Sequence, residues 1–405
     1  MSREVPDGWT PVKLGAAALN VAEKWEPGEH AEPYVGLEQV GQGTGRLLDI
    51  GVSDGLQSIK TRFRAGDVLF GKLRPNLKKT ALVDFSGIAS TDILVIRPSE
   101  RMTPEFAFYR VSSDEAFDYA IKSAAGTKMP RTSWKDMADF EFPLPPLHEQ
   151  RGIAEILSSV DEAIAATRAV IEQTRKVRSE ILSTSFPEDQ AAGPSTANDT
   201  FEGWSVEPAS SICESIIDCK NRTPPVTEDG YAVVRTPNVR NGRFRYEGLQ
   251  FTDKQSFQEW TAKGIPRAGD ILFTREAPYG EVCMAPAMAF CLGQRMMFLR
   301  PDTSRVSSDF LLYALQSGPV KKEMFRRAGG STVGHLRVGD VRELPIPVAP
   351  RDVQLHLTST LRSLDVALYS NEESLSRLEG CKFALMSDLL TGRKRVSDAL
   401  PMAAE

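Results

Sequence analysis

The sequence predicts an α+β protein, in which two α/β domains related by a pseudo-twofold each run into a long amphipathic helix. Three observations predict it. Residues 64–185 recur at 267–389. Each copy places β-rich runs before helical ones, and each ends in a helix whose apolar residues alternate four and three apart. The repeat is legible residue by residue. Arg64-Ala65-Gly66-Asp67-Val68-Leu69-Phe70 returns 203 positions later as Arg267-Ala268-Gly269-Asp270-Ile271-Leu272-Phe273. Phe142-Pro143-Leu144-Pro145 before Gln150 is answered by Ile346-Pro347-Val348-Ala349 before Gln354, now 204 positions later. An offset this constant means two structural copies.

In the first copy, Val68-Leu69-Phe70 and Asp92-Ile93-Leu94-Val95-Ile96 read as strands bounded by turns. Thr103-Pro104-Glu105 opens a helix, with Thr as N-cap and Pro in the first turn, and a second helical stretch runs from Glu115 to Ser123. The glycine and basic residues of Gly126-Thr127-Lys128-Met129-Pro130-Arg131 follow. A short helix around Trp134–Ala138 then leads to the strand-like Phe140-Glu141-Phe142-Pro143. The second copy keeps this order: Ile271-Leu272-Phe273, then Met296 to Pro301, a helix from Ser308, the loop Gly329-Gly330-Ser331-Thr332, and Leu344 to Pro347. The predicted divisions are domains at 1–147 and 203–348, helices at 148–186 and 349–392, a linker at 187–202 rich in Pro, Gly, Ala, Ser and acids, and a tail at 393–405.

The first helix seam is Ile153, Leu157, Val160, Ile164, Thr167, Ile171, Thr174, Arg178 and Ile181. The second is Leu357, Leu361, Leu364, Leu368, Asn371, Leu375, Leu378, Lys382, Leu385 and Leu389. A 3.5-residue repeat is the signature of helix packed on helix. About 35 residues at ~1.5 Å each make a rod of ~50 Å. Thr167 answers Asn371 and Arg178 answers Lys382, polar seam positions of the kind that fix register.

The 405 residues suffice for two or three domains, and 41% hydrophobic with 25% charged is ordinary globular composition. No apolar run reaches the roughly 20 residues of a membrane helix, and Met1 to Thr10 has no signal-peptide character, so the expected compartment is the cytoplasm. Five cysteines without a CxxC fit a reducing compartment, and Cys213, Cys219, Cys283 and Cys291 read as packing residues.

Catalytic constellations are missing from the sequence. His30, His148, His335 and His356 are scattered and sit at no metal-ligand spacing. Gly41-Gln42-Gly43-Thr44-Gly45 lacks the ending of a phosphate loop and reads as a turn or hairpin. Pro224-Pro225 and Ala277-Pro278-Tyr279 lack the leading Asp or Asn of an amino-methyltransferase tetrapeptide. Neither hydrolysis nor group transfer is supported, and no cofactor or metal is expected on this chain.

Binding remains. Net charge is −5, yet bases cluster at Lys60–Lys79, Arg235–Arg245 and Lys321–Arg337. The segment after the repeated strand differs between copies, Gly71–Lys79 against Thr274–Gly280. Both are turn-rich and basic. A repeated scaffold with divergent loops suits two different readings. Duplex DNA fits best, since Lys and Arg neutralise phosphates while loop side chains read base edges. The expected DNA contacts are Lys72, Arg74, Lys78, Lys128 and Arg131 in the first copy, and Arg275, Arg326, Arg327, His335 and Arg337 in the second.

These residues also carry a resemblance. Gly8-Trp9 and Gly203-Trp204, the paired Ala-Gly-Asp-[Val/Ile]-Leu-Phe strands, Thr274-Arg275-Glu276-Ala277-Pro278, Pro143 to Gln150, and Leu389-Leu390-Thr391-Gly392-Arg393 occur in order over nearly the whole chain. Together they resemble the specificity subunits of type I restriction–modification systems. The resemblance implies two target recognition domains, each reading half of a split DNA sequence, joined by two long antiparallel coiled-coil helices. It implies two adenine-N6 methyltransferase subunits docked on those helices, with restriction/translocation subunits added. S-adenosylmethionine, ATP and Mg²⁺ would belong to these partners. Val348-Ala349-Pro350-Arg351-Asp352-Val353-Gln354 departs from the Pro-Pro-x-x-Glu-Gln lead-in of the first copy. The alternatives are a coiled-coil scaffold whose heads bind proteins rather than DNA, and an enzyme such as a nuclease or methyltransferase half.

Overall fold

The structure, a computed structural model, describes residues 5–28, 30–187, 201–331 and 334–396. Most of the predicted linker (188–200) and the end of the tail therefore lie outside the described residues. The chain divides into two compact units, Met1–Arg168 with Glu373–Glu405, and Ala169–Glu372. Each long helix thus contributes to both units, a division the sequence reading had not drawn.

The first unit is built on a four-stranded antiparallel sheet in the order Ala18–Asn20, Ile93–Pro98, Val68–Gly71, Thr80–Leu82. Successive strand residues face opposite sides, and both sides are covered. Val68, Phe70, Leu94 and Ile96 join the core formed with helices Pro104–Val111 and Asp114–Ser123. Leu69, Ile93 and Val95 pack instead with Val35, Phe63 and Ala89 of a second sheet. Burial on both faces is why this motif reads as an unbroken apolar run. The second sheet runs Lys24–Trp25, Lys60–Phe63, Gly87–Ala89, Pro33–Val35, Gly51–Val52, with Pro33–Val35 parallel to Gly87–Ala89.

The second unit repeats the main sheet in the same order: Cys213–Asp218, Met296–Pro301, Ile271–Arg275, Tyr279–Met284. Its other sheet has three strands, Gln250–Thr252, Tyr231–Val234 and Phe290–Leu292, beside a hairpin of Val239–Arg240 and Arg243–Phe244. The copies therefore share the main sheet and diverge in the sheet packed behind it.

The repeated Ala-Gly-Asp has a physical reason. Gly66 and Gly269 have φ of 86° and 92°, a conformation open to glycine. Each turn aims a buried carboxylate at an arginine two strands on. Asp67 takes Arg97 Nε and Nη2 at 2.7 Å each, and Asp270 takes Arg300 Nε and Nη2 at 2.8 Å each. Both carboxylates also accept the backbone N–H three residues back, from Arg64 and Arg267. Removing either acid would strand a half-buried guanidinium.

A two-stranded ribbon leads into each long helix, Thr10–Lys13 with Glu141–Leu144 and Ser205–Pro208 with Pro345–Val348. The helices span Leu147–Thr184 and Arg351–Leu389. Gln150 and Gln354, both buried, lock them to their units. Gln150 Nε2 donates to Arg101 O and Pro145 O, and its Oε1 accepts Thr103 N–H, at 2.8–2.9 Å. Gln354 repeats this with Arg305 O, Ala349 O and Ser307 N–H at 3.0–3.1 Å. The altered lead-in at 348–354 thus preserves the bond that matters.

Within the first unit, Asp161 meets Lys382 and Arg168 meets Glu379. Within the second, Arg175 meets Glu372 and Arg178 meets Asp365. Partner numbers fall as helix numbers rise, so the helices pair antiparallel in each unit. Leu157, Ile164, Ile171, Leu361 and Leu368 are buried, and Val160, Ile181, Leu364, Asn371, Leu375, Leu378 and Leu385 are half-buried. Thr167 and Asn371 each bond within their own helix. Their side chains donate to Ala163 O and Ala367 O of their own helices, each at 2.8 Å. Among these polar seam positions Arg178 and Lys382 do bond across the pair, as Arg168 and Arg175 do beside them.

Candidate nucleic-acid interface

In the first unit the main-sheet strand Val68–Gly71 exits into a basic turn. Lys72 N–H donates to Asp92 O at 2.9 Å, and Lys72 O accepts Thr132 N–H at 3.1 Å. Arg74 N–H donates to Pro130 O at 2.8 Å, and Leu73 and Arg131 form a β-bridge. These bonds stitch the 72–79 turn to the 125–132 loop and gather Lys72, Arg74, Lys128 and Arg131 on one platform. Arg74 and Lys78 bracket the short 3-10 turn Pro75–Leu77 with φ of 52° and 48°. Left-handed backbone at non-glycine residues costs about 1 kcal/mol or more and tends to cluster where a site is held ready. Lys72, Arg74 and Lys128 make no ion pair among the described residues. Arg131 pairs with Asp92 at 3.0 Å, in a half-exposed contact. Such pairs are worth about 0–1 kcal/mol, little enough to exchange for a phosphate. Lys78 stands apart, paired with Asp114 beside the Gly43 loop.

The second unit uses the same backbone bonds. Arg275 N–H donates to Arg295 O at 2.8 Å, and Arg275 O accepts Leu336 N–H at 3.0 Å. These are the Lys72 bonds shifted by 203 and 204 residues. The side chains differ. Arg275 is 7% exposed, and its guanidinium turns inward to Asp218 at 3.3 Å. This corrects the expectation that it contacts DNA, because a buried, charge-paired arginine has no reach to a duplex. His335 and Arg295 flank Glu276, with Nδ1 and Nε each 3.4 Å from a carboxylate oxygen. Arg337 is exposed beside them. Arg326 and Arg327 form a separate group on helix Gly318–Arg327, both bound to Glu323. Hydrogen bonding from Arg326, with Arg327 beside it, pulls the Glu323 carboxyl down to about 2.

Three cations escaped the sequence reading. Arg295 lies one offset from Asp92, so aligning the copies would have found a charge reversal there. Lys220 and Arg222 stand 4.7 and 4.9 Å from the Trp260 ring and share Glu259. Gln294 Nε2, donating to Asn221 O at 2.8 Å, joins their loop to Arg295. No local motif marks that junction.

Cys219, Cys283 and Cys291 are buried, Cys213 is half-buried and Cys381 is exposed. Among the described residues no group of His, Cys, Asp and Glu could hold a metal ion. Among them also, no helix is long and apolar enough to cross a membrane.

A repeated α/β framework carrying two different basic platforms defines a protein that recognises DNA. Residues 11–174 and 202–379 match the type I restriction modification DNA specificity domain, and the chain belongs to that family. It is 23% identical over 423 residues to the type I restriction enzyme MjaVIII specificity subunit of Methanocaldococcus jannaschii, covering 97% of this chain and 95% of that one. It is 29% identical over 122 residues to the Escherichia coli EcoDI specificity subunit, covering 30% of this chain and 26% of that one. Its fold is similar to the type I system S subunit from M. genitalium, with a TM-score of 0.63 at 16% identity over 96% of this chain and 97% of that one. A structure titled as the basis of complex assembly and conformational transition of the type I R-M system gives 0.59 at 23% identity, over 96% and 100%. As a member of this family the chain is a sequence-recognition component of a restriction–modification complex.

Proposed function

We propose that each unit reads one half of a split DNA target, and that the chain directs where partner subunits act. The observation that carries this reading is one backbone arrangement holding two different side-chain sets. Lys72, Arg74, Lys128 and Arg131 stand on the first, and Arg295, His335 and Arg337 on the second. Phosphate contacts from such residues position a protein on the duplex, and loop side chains reaching base edges supply sequence. The exposed faces of the two long helices are where two adenine-N6 methyltransferase subunits dock, and restriction/translocation subunits join that core. S-adenosylmethionine, ATP and Mg²⁺ are used on those partners. The chemistry is theirs and the choice of site belongs to this chain. Combining the chain with its methyltransferase partner and mapping the methylated adenines tests the reading directly. Two specified half-sites separated by an unspecified gap support it; one uninterrupted site refutes it. A scaffold with protein-binding heads would bind duplexes weakly and without the steep loss of affinity in salt expected of phosphate contacts.

A further inference from the structure

The first unit holds a half-open cavity of about 720 Å³. Its walls are the Gly43–Leu48 loop, the junction of helices Pro104–Val111 and Asp114–Ser123, and the facing stretches of the long helices. Small-molecule sites commonly span roughly 300–1,000 Å³.

The second unit indicates what this space lacks. The repeat pairs Asp161 with Asp365, Ser112 with Gln316, Ala165 with Tyr369 and Arg168 with Glu372, each 204 residues on. In the second unit these positions form a hydrogen-bonded cluster around Arg243, with Tyr369 itself largely exposed. Arg243 donates to Asp365 O at 3.2 Å and to the Glu372 carboxylate at 2.6 Å, and stands 5.6 Å from the Tyr369 ring. Gln316 closes against Gly242 and accepts from Arg178 at 2.7 Å. In the first unit Arg46 takes the part of Arg243, donating to Asp161 O at 3.3 Å. Yet alanine and serine stand where the tyrosine and glutamine would be, and arginine replaces the glutamate. The cavity is bordered by all of these smaller or reversed residues.

Charge sharpens the requirement. Lys78, Arg110, Arg168 and Lys382 on the wall are paired with Asp114, Glu115, Glu379 and Asp161. Arg46 has no carboxylate among the described residues. Leu47, Phe108, Ile164 and Met386 supply apolar wall. Gly45, at φ 69°, lies so close to the Phe108 ring that an added Cβ would come within 2.7 Å of it.

We propose that this cavity binds a small aromatic monoanion. Its ring takes the place that Tyr369 fills in the second unit, and its anionic group meets Arg46 as the Glu372 carboxylate meets Arg243. The second unit thus supplies from its own side chains the partners that the first takes from solution.

The test is a fluorescence titration of the full chain with 8-anilinonaphthalene-1-sulfonate, followed by displacement with indole-3-acetate. The wild-type chain is expected to bind one equivalent, released by indole-3-acetate. The variant Ala165→Tyr/Ser112→Gln, which imports the second unit's side chains, should lose this binding. Arg46→Gln should weaken it about tenfold, the usual scale for losing one charged hydrogen bond. DNA affinity, followed in parallel, should stay unchanged in both. Wild-type-like binding in the double variant, or an Arg46→Gln chain that binds as tightly as wild type, overturns the proposal. Should the double variant fail to fold, Arg46→Gln alone decides, since its partner is a single backbone carbonyl.

Discussion

Lys382 holds Asp161 at 2.6 Å in the first unit, and the hydroxyl of Tyr109 donates to the same carboxylate at 3.0 Å. The second unit makes the same lock from the opposite helices. Arg178 holds Asp365 at 2.6 Å, and the Tyr313 hydroxyl donates to it at 2.8 Å. Burial first, and the neighbouring carboxylate second, push both phenols well above their ordinary range. Asp161→Asn or Asp365→Asn leaves a half-buried cation without its counter-charge. Each is expected to cost about 1–3 kcal/mol, read by denaturant unfolding. Asp365→Asn combined with Arg178→Met should recover part of that loss, because no orphaned charge remains.

Gln150 and Gln354 each form the same three hydrogen bonds to main-chain groups, and Gln354 also accepts from Arg351 Nη1 at 3.4 Å. Gln150→Leu should destabilise the chain by about 2 kcal/mol or more, because two buried carbonyls and one N–H lose their partners together. Gln150→Glu should be at least as damaging, since a carboxylate cannot donate to Arg101 O and Pro145 O. Differential scanning calorimetry separates these outcomes from a surface effect near zero.

Lys72→Ala/Arg74→Ala should weaken DNA binding and leave methyltransferase docking intact. Each lost phosphate contact lowers the slope of log affinity against log salt by about one. Arg275→Met should act differently. It leaves the half-buried Asp218 without its ion-pair partner, so it should lower stability and leave the salt slope alone. Titrations at several salt concentrations, paired with melting curves, distinguish the roles.

Burial pushes the Cys291 thiol up to about 11 and the Cys213 thiol up to about 12. Raised values mean less thiolate at any given pH, and thiolate is the reacting species. Near pH 8 a thiol reagent should therefore label Cys381 alone in the folded chain. Unfolding returns the others to their ordinary range and exposes them, so all five should then react. Rapid native labelling of Cys283 or Cys291 would contradict the packing described for the second unit.

Insertion of one heptad into both long helices adds ~10 Å along each. If the helices act as the spacer, the tolerated gap in the DNA target should grow by about three base pairs, at 3.4 Å per pair. The bases read on either side should not change. Methylation mapping on a library of gap lengths checks this, and an unaltered gap would assign the spacing to another element.

The main sheet and the long helices were legible because their determinants are local. A buried central strand such as Val68-Leu69-Phe70 must be apolar throughout, and a helix seam must repeat every three or four residues. The sheets behind were not legible. Lys24–Trp25 and Gly51–Val52 are two-residue strands, too short for any alternation to register. Arg275 misled for a related reason. A basic residue in a turn-rich segment reads as exposed, and the partner it turns in to, Asp218, is a carboxylate distant in sequence. Lys220, Arg222 and Arg295 belong to a junction of loops that only the folded chain assembles. His335 and Arg337 could be singled out in the sequence because the glycine loop beside them recurs in both copies.

The bonds that hold each of the two equivalent turns, Thr132 N–H to Lys72 O and Leu336 N–H to Arg275 O, are made entirely by main-chain atoms. Every amino acid except proline offers the same donor and acceptor at those points. Substitution of Lys72, which makes no ion pair among the described residues, can therefore change what that turn displays without loosening it, whereas the inward Arg275 is tied to the fold through Asp218. A lineage built this way can change what such a turn displays by ordinary substitutions while its backbone keeps one path.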